Sequence, residues 1–358
     1  MDVNIPRNCS INFLQKKFNF SNEFKIIISK ESSFSLGAEG FFISIINLLC
    51  KRNLLSSVRL YLAEYDIETH GINSDSSLVS AYFLAICLQG VDIEDRYGKK
   101  VTDLVQSKID LLVKAEEGVF ERSTEQFLYA LDPYYTHPPK LLSENEEPSE
   151  ESFKDLLKKR IENSFVSNTS SDQKRIFQIT EKINLYVFLK EIWENTVHHG
   201  RTASRGLRYI KLSKIIFVNE EGLKKSRFPT AIEAYILHNM SQNRKRFIVI
   251  DIVDSGEGIY RELLRKSFNK NIIEVVSSAF EEGVTSKIAR SSIRRGLGLS
   301  TALKCAADLE ALLIMTTSGT LATNYSLTEN KILNTVLVNQ IDQEMIYSST
   351  SVSLVIPT

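Results

Sequence analysis

Residues 191–200 read EIWENTVHHG, and Glu191, Asn195 and His199 recur within them at intervals of four. On a helix of 3.6 residues per turn these positions stack along one side. A carboxylate and a carboxamide in one row are expensive to bury, so the spacing means either a site or a solvated face. Three glycine-containing stretches bear on that choice. DIVDSGEGIY (251–260) ends a strand-like run on Asp254 and follows it with Gly256, Gly258 and Ile259. Glycines there let backbone approach a ligand closely, and an aspartate at a strand end can accept a hydrogen bond from an exocyclic amine such as that of adenine. An ordinary turn would also account for DSG.

The second stretch, RRGLGLSTAL (294–303), sets Gly296 and Gly298 ahead of a helix. The first amides of such a helix face an anion, and Arg294 and Arg295 add positive charge. No GxxxxGK[ST] run occurs, so this is not a Walker loop, nor does it follow a strand as a Rossmann turn does. The third, FEEGVTSK (280–287), offers Gly283 as a helix C-cap. Thr285, Ser286 and Lys287 then give two hydroxyls and an ammonium suited to phosphate oxygens, although a plain solvated loop would read the same way.

The elements that must hold these residues divide into two parts. FKIIIS (24–29), AEGFFISIINLLCKR (38–52) and SVRLYLAEY (57–65) read as strand, helix and strand. DSSLVSAYFLAICLQG (75–90) and VTDLVQSKIDLLVKAEE (101–117) read as helices, so residues 1–132 suggest a small α/β domain. Residues 133–150 are acidic, proline-bearing and without apolar periodicity, which marks a linker. In 151–358, helices are expected over 151–165, 182–199, 272–283 and 297–313, and strands over 207–218, 245–256 and 351–357. The segment 219–244 stays unassigned.

Taken in order, ExxxN on a helix, DxGxGI after a strand, FExGxTSK, and GLGLS before a helix resemble the GHKL superfamily. That superfamily holds gyrase, the ninety-kilodalton heat-shock chaperones, histidine kinases and mismatch-repair MutL. The likeness spans about residues 150–358, including a TSVSLVIP closing strand. It implies an α/β fold, a two-layer sandwich with a mixed sheet, that binds ATP with Mg²⁺ and hydrolyses it. Carried onto this chain, Glu191 is the general base and Asn195 the Mg²⁺ ligand. Asp254 reads adenine, with Gly256, Gly258 and Ile259 shaping the purine pocket. Gly296, Leu297, Gly298, Leu299 and Ser300 form the second glycine box against the phosphates, and Thr285, Ser286 and Lys287 lie in a lid. His199 takes a supporting role, Trp193 belongs to the core and Glu194 is solvated.

Two other classes compete with a hydrolase. A histidine-kinase-like or anti-sigma-like enzyme would use the same pocket to phosphorylate a partner. Of the five histidines, His70 precedes Gly, His137 precedes Pro, His238 precedes Asn, and His198 and His199 sit in the motif, so no phosphoacceptor helix is expected. The third class is a non-hydrolysing ATP sensor. A protein effector partner is expected, homodimers are frequent in the family, and the segment 219–244 is a candidate insertion for partner contact.

Bulk properties exclude other classes. The 358 residues allow two or three domains, with 43% hydrophobic and 25% charged residues, an ordinary globular balance. Lys+Arg and Asp+Glu both number 44, so no global field favours nucleic acid or acidic lipid. No run is long enough to span a bilayer and the start lacks a signal-peptide pattern. The four cysteines are scattered without metal spacing, and a cytoplasmic, disulfide-free protein is expected.

Overall fold

The computed structural model describes residues 1–18, 22–70, 81–114, 119–121, 125–131, 149–164, 170–199, 207–226, 228–256, 258–259, 271–281, 298–317, 320–325, 334–337 and 349–358. The N-terminal part carries strands β1 (Asp2–Ile5), β2 (Phe24–Ile28), β3 (Leu55–Arg59) and β4 (Asp92–Glu94). They form a parallel sheet in the order β1-β2-β3-β4. Parallel neighbours need crossovers, and these carry α1 (Ile11–Lys17), α2 (Ala38–Lys51), α3 (Glu64–His70) and α4 (Ala81–Leu88), with α5 (Thr102–Lys114) following β4. Helix α1 starts where the Ser10 hydroxyl accepts from the Phe13 amide, and Lys16 and Lys17 meet the negative end of its dipole. The strand expected over 57–65 stops at Arg59, and residues from Glu64 turn into α3.

A second sheet has eight strands: β5 (Val119–Glu121), β6 (Glu125–Leu131), β7 (Leu207–Ile216), β8 (Arg246–Asp254), β9 (Leu312–Thr317), β10 (Thr320–Thr323), β11 (Asn334–Leu337) and β12 (Thr350–Pro357). Their order is β11-β10-β9-β12-β8-β7-β6-β5. The expected mixed sheet is, in its described pairings, antiparallel throughout. The reason is β12, which runs between β8 and β9 and opposes both. The hairpin β5–β6, placed with residues 1–132 in the sequence division, pairs with β7 in this sheet. Its helices are α6 (Glu150–Ser164), α7 (Ser170–Thr180), α8 (Ile183–His199), α9 (Glu220–Lys225), α10 (Thr230–Ser241), α11 (Ile272–Ser278) and α12 (Gly298–Asp308).

Strand alternation distributes the apolar side chains to two cores. From β8, Ile248, Ile250 and Ile252 join Phe153, Leu157, Leu185, Phe188 and Trp193 of the helices on one face. Phe247, Val249 and Val253 point the other way, into a core shared with Phe41, Phe42 and Ile45 of α2. Each such side chain, fully buried, contributes about 1.5–3 kcal/mol. Helix α10, in the segment left unassigned by sequence, adds Ile232, Tyr235 and Ile236 to this second core.

The contact between α2 and the large sheet is close and partly polar. A Cβ built on Gly40 would lie 2.2 Å from both Cβ and Oγ of Ser351. Beside it Lys211 Nζ donates to Glu39 Oε2 at 2.6 Å, with side chains only 12% and 7% exposed. One turn further, the Ser44 and Ser349 hydroxyls are hydrogen-bonded. Among the described residues no helix is long and apolar enough to cross a membrane.

Candidate functional site

Helix α8 is anchored by its apolar side. Leu185, Tyr186, Phe188, Leu189, Ile192 and Trp193 are all buried, while Glu191 and Asn195 are half-buried on another side. Lys190 pairs with Glu150 at 3.1 Å and with Glu194 at 3.8 Å, which keeps Glu194 in a surface ion network. The row of Glu191 and Asn195 faces the start of α12. A Cβ on Gly298, the first residue of that helix, would sit 2.9 Å from Asn195 Nδ2, 3.2 Å from its Oδ1 and 3.3 Å from Glu191 Oε2. Only a residue without a side chain lets the three groups come this near. Burial first, and then the charges of the Asp308 and Glu191 carboxylates, push the Cys305 thiol up to about 11.

At the end of β8, Asp254 is 6% exposed and its Oδ1 accepts the Gly256 amide at 2.8 Å. Gly258 adopts φ +81°, a conformation side chains resist. The next amide, Ile259, donates to Thr317 Oγ1 at 3.1 Å, and that hydroxyl donates on to the Ser349 carbonyl at 3.2 Å. Register aligns Arg208, Asp254, Thr350 and Thr317 across β7, β8, β12 and β9. All four belong to the parity that faces the helices. Arg208 is fully buried, with its guanidinium carbon 5.7 Å from the centre of the Trp193 ring.

Sequence reasoning did not single out Arg208 or Thr317. Arg208 is the second residue of the strand-like run LRYIKL, but only the strand pairing puts it opposite Asp254. Thr317 lies far along the chain, and its place beside Ile259 follows from β9 being two strands away from β8.

Leu299 is half-buried and Ser300 buried in the first turn of α12. Thr285, Ser286, Lys287, Gly296 and Leu297 lie outside the described residues, as do the side chains of His198 and His199. The helix expected over 297–313 ends at Asp308, because Glu310 takes φ +54° and Leu312 opens β9.

Among the described residues no group of three or more His, Cys, Asp or Glu side chains is placed to hold a metal. The donor that suits Mg²⁺ here is the hard amide oxygen of Asn195, one ligand that phosphate oxygens and water would complete. The arrangement thus combines a carboxylate, an amide oxygen and the amide end of an eleven-residue helix at one place, with a buried aspartate at a strand end as a second polar point. No family model matches the chain, and no curated protein matches its sequence.

Proposed function

We propose that this chain is a Mg²⁺-dependent ATPase of the GHKL type, turning ATP into ADP and phosphate. The observation that carries the reading is the meeting of Glu191 and Asn195 with Gly298 at the start of α12. Helix amides attract the phosphate charge, and the Asn195 oxygen would hold Mg²⁺, which neutralises that charge when bound. Glu191 then takes the proton of an attacking water. The Asp254 carboxylate, which also accepts the Gly256 amide, reads the adenine amino group. Gly258 lets the backbone approach the purine, and Ile259 lines it. Leu299 and Ser300 flank the phosphates, and the family resemblance assigns Gly296 and Leu297 to the same glycine box and Thr285, Ser286 and Lys287 to a lid.

Hydrolysis is coupled, in this reading, to the N-terminal part. Thr317 receives the amide of Ile259 and contacts Ser349, whose hydroxyl meets Ser44 of α2. A change at the purine pocket therefore has a short bonded route to the opposite face of the sheet. The test is γ-labelled ATP with Mg²⁺, comparing wild type with Glu191→Gln. Free phosphate lost in the variant supports the ATPase. Label transferred to protein instead moves the chain to the kinase class, and failure to bind ATP at all ends the proposal.

A further inference from the structure

The loops after β1 and β2 close against strands β7 and β8 around a cavity of about 430 Å³. The volume lies within the usual range of small-molecule pockets. Its floor is the face of the large sheet opposite to Asp254, where Lys211 and Ser213 of β7 stand beside Asp251 and Val249 of β8. One wall is the segment 33–37, which leads into α2, and the other comes from Phe217, α9 and Phe228.

The charged groups at this floor are already engaged. Glu39 of α2 pairs with Lys211 at 2.6 Å, Asp251 accepts from the Ser353 hydroxyl, and all three make further contacts. The Ser213 hydroxyl is different. The residue is 8% exposed, and its side chain, in step with Lys211 on β7, faces the cavity. Yet the hydroxyl has no hydrogen-bond partner among the described residues. A buried hydroxyl left unpaired costs about 1–3 kcal/mol, and such a group in a native structure calls for an explanation. Alanine would fill the same place in the strand without that cost, so a hydroxyl here points to a partner from outside the chain.

Much of the remaining lining is apolar. Phe34, Leu36, Phe217 and Phe228 border the cavity, and the rings of Phe217 and Phe228 meet edge to face with centroids 5.9 Å apart. Such surfaces favour a further ring against them. A charged ligand would lose its hydration here without gaining a free counter-ion. We infer that this cavity binds an uncharged aromatic molecule bearing a hydroxyl, which forms a hydrogen bond with Ser213 while its ring lies against the phenylalanines. The bound molecule touches the loop ahead of α2 and the large sheet at once, and so ties the two together. Asp251 and Asp254 share β8 but face opposite sides of the sheet, so this site is separate from the proposed nucleotide site and independent of it.

The test is calorimetric titration of the full chain with 2-naphthol, and with 2-naphthoate as the same ring system bearing a charge. Saturable heat is expected with the naphthol and none with the naphthoate. Ser213→Ala should weaken the naphthol about two- to tenfold, the effect of one neutral hydrogen bond. Because it removes an unpartnered hydroxyl, the same substitution should leave the melting temperature of the free chain unchanged or higher. A serine that served the fold alone would do the reverse, with a lower melting temperature and unchanged affinity. Ser226→Trp, at the half-buried rim, should block entry and abolish binding. Absence of saturable heat at millimolar naphthol, equal binding of the naphthoate, or naphthol binding unchanged by Ser213→Ala or by Ser226→Trp overturns the inference.

Discussion

Replacing Gly298 by alanine tests the central geometry of the candidate site with a single methyl group. The new Cβ would stand 2.9 Å from Asn195 Nδ2 and 3.3 Å from Glu191 Oε2, so the 2.9 Å contact has to lengthen by several tenths of an ångström. Both obstructing atoms are the ends of half-buried side chains that can rotate, and alanine is a better helix residue than glycine. The two effects offset each other, and the net stability change should stay within about 1 kcal/mol. Function should suffer more. A displacement of about 1 Å in a positioned group costs about 100-fold in rate, so if the chain is the proposed ATPase its turnover should fall by one to two orders of magnitude while the melting temperature barely moves. A double-mutant cycle isolates the cause. In an Asn195→Ala background the obstruction is relieved, and the same methyl group should become stabilising by up to about 1 kcal/mol. Wild-type turnover in Gly298→Ala, or strict additivity of the two substitutions in stability, would refute the reasoning.

Other perturbations test the frame. Gly40→Ala places a methyl 2.2 Å from Ser351 in a close-packed interface with no room to yield. It should cost about 3 kcal/mol by chemical denaturation, and Ser351→Gly should recover part of that loss. Glu94 ties β4 to β2 and β3 through Lys25 at 2.5 Å and Arg59 at 3.0 Å. Burial pushes its carboxyl up, but hydrogen bonds from Lys25, Ser57 and Arg59 and the Lys25 charge outweigh burial and hold it below its ordinary value. A depressed folded value means stability that is present above the unfolded pKa of about 4.3 and lost as pH falls through the folded one. Glu94→Gln should therefore flatten the acid limb of a pH–stability curve, and an unchanged limb would contradict the assignment. Burial raises the Cys9 and Cys50 thiols to about 12, so neither should react quickly with a disulfide reagent at pH 8 until the chain is unfolded.

The elements most legible in the sequence were those with a strong internal period or well-marked ends. Helix α8 keeps its apolar side from Leu185 to Trp193, and β8 is a short apolar run closed off by the basic residues 244–246 on one side and DSG on the other, so both emerged nearly to their observed bounds. The end of α12 did not, because ALLIM has no period that separates a helix from a buried strand. What stops the helix is the left-handed turn at Glu310, a residue type that gives little warning of it. The hairpin β5–β6 was missed for another reason: it is paired to β7 across a long intervening segment. Glu191, Asn195, Asp254 and Gly298 could be named from motif order alone. Thr317 and Arg208 could not, since their relevance depends on register between strands distant in sequence.

Strand β12 has a consequence for the order of folding. β8 and β9 point the same way and have no direct hydrogen bonds with each other; each is paired to β12. Until residues 350–357 insert, the other seven strands exist as two separate ribbons, β11-β10-β9 and β8-β7-β6-β5, each with an open edge where the sheet should continue. Such non-local closure is slow, because loop entropy is lost before the contacts form. The row Asp254–Thr350–Thr317 exists only afterwards, and so does the seat of Gly40 on Ser351. One strand thus completes the candidate site on one face and docks the N-terminal part on the other. A chain still waiting for it would expose two unpaired edges, the form most vulnerable to aggregation, and would lack the completed row of the candidate site.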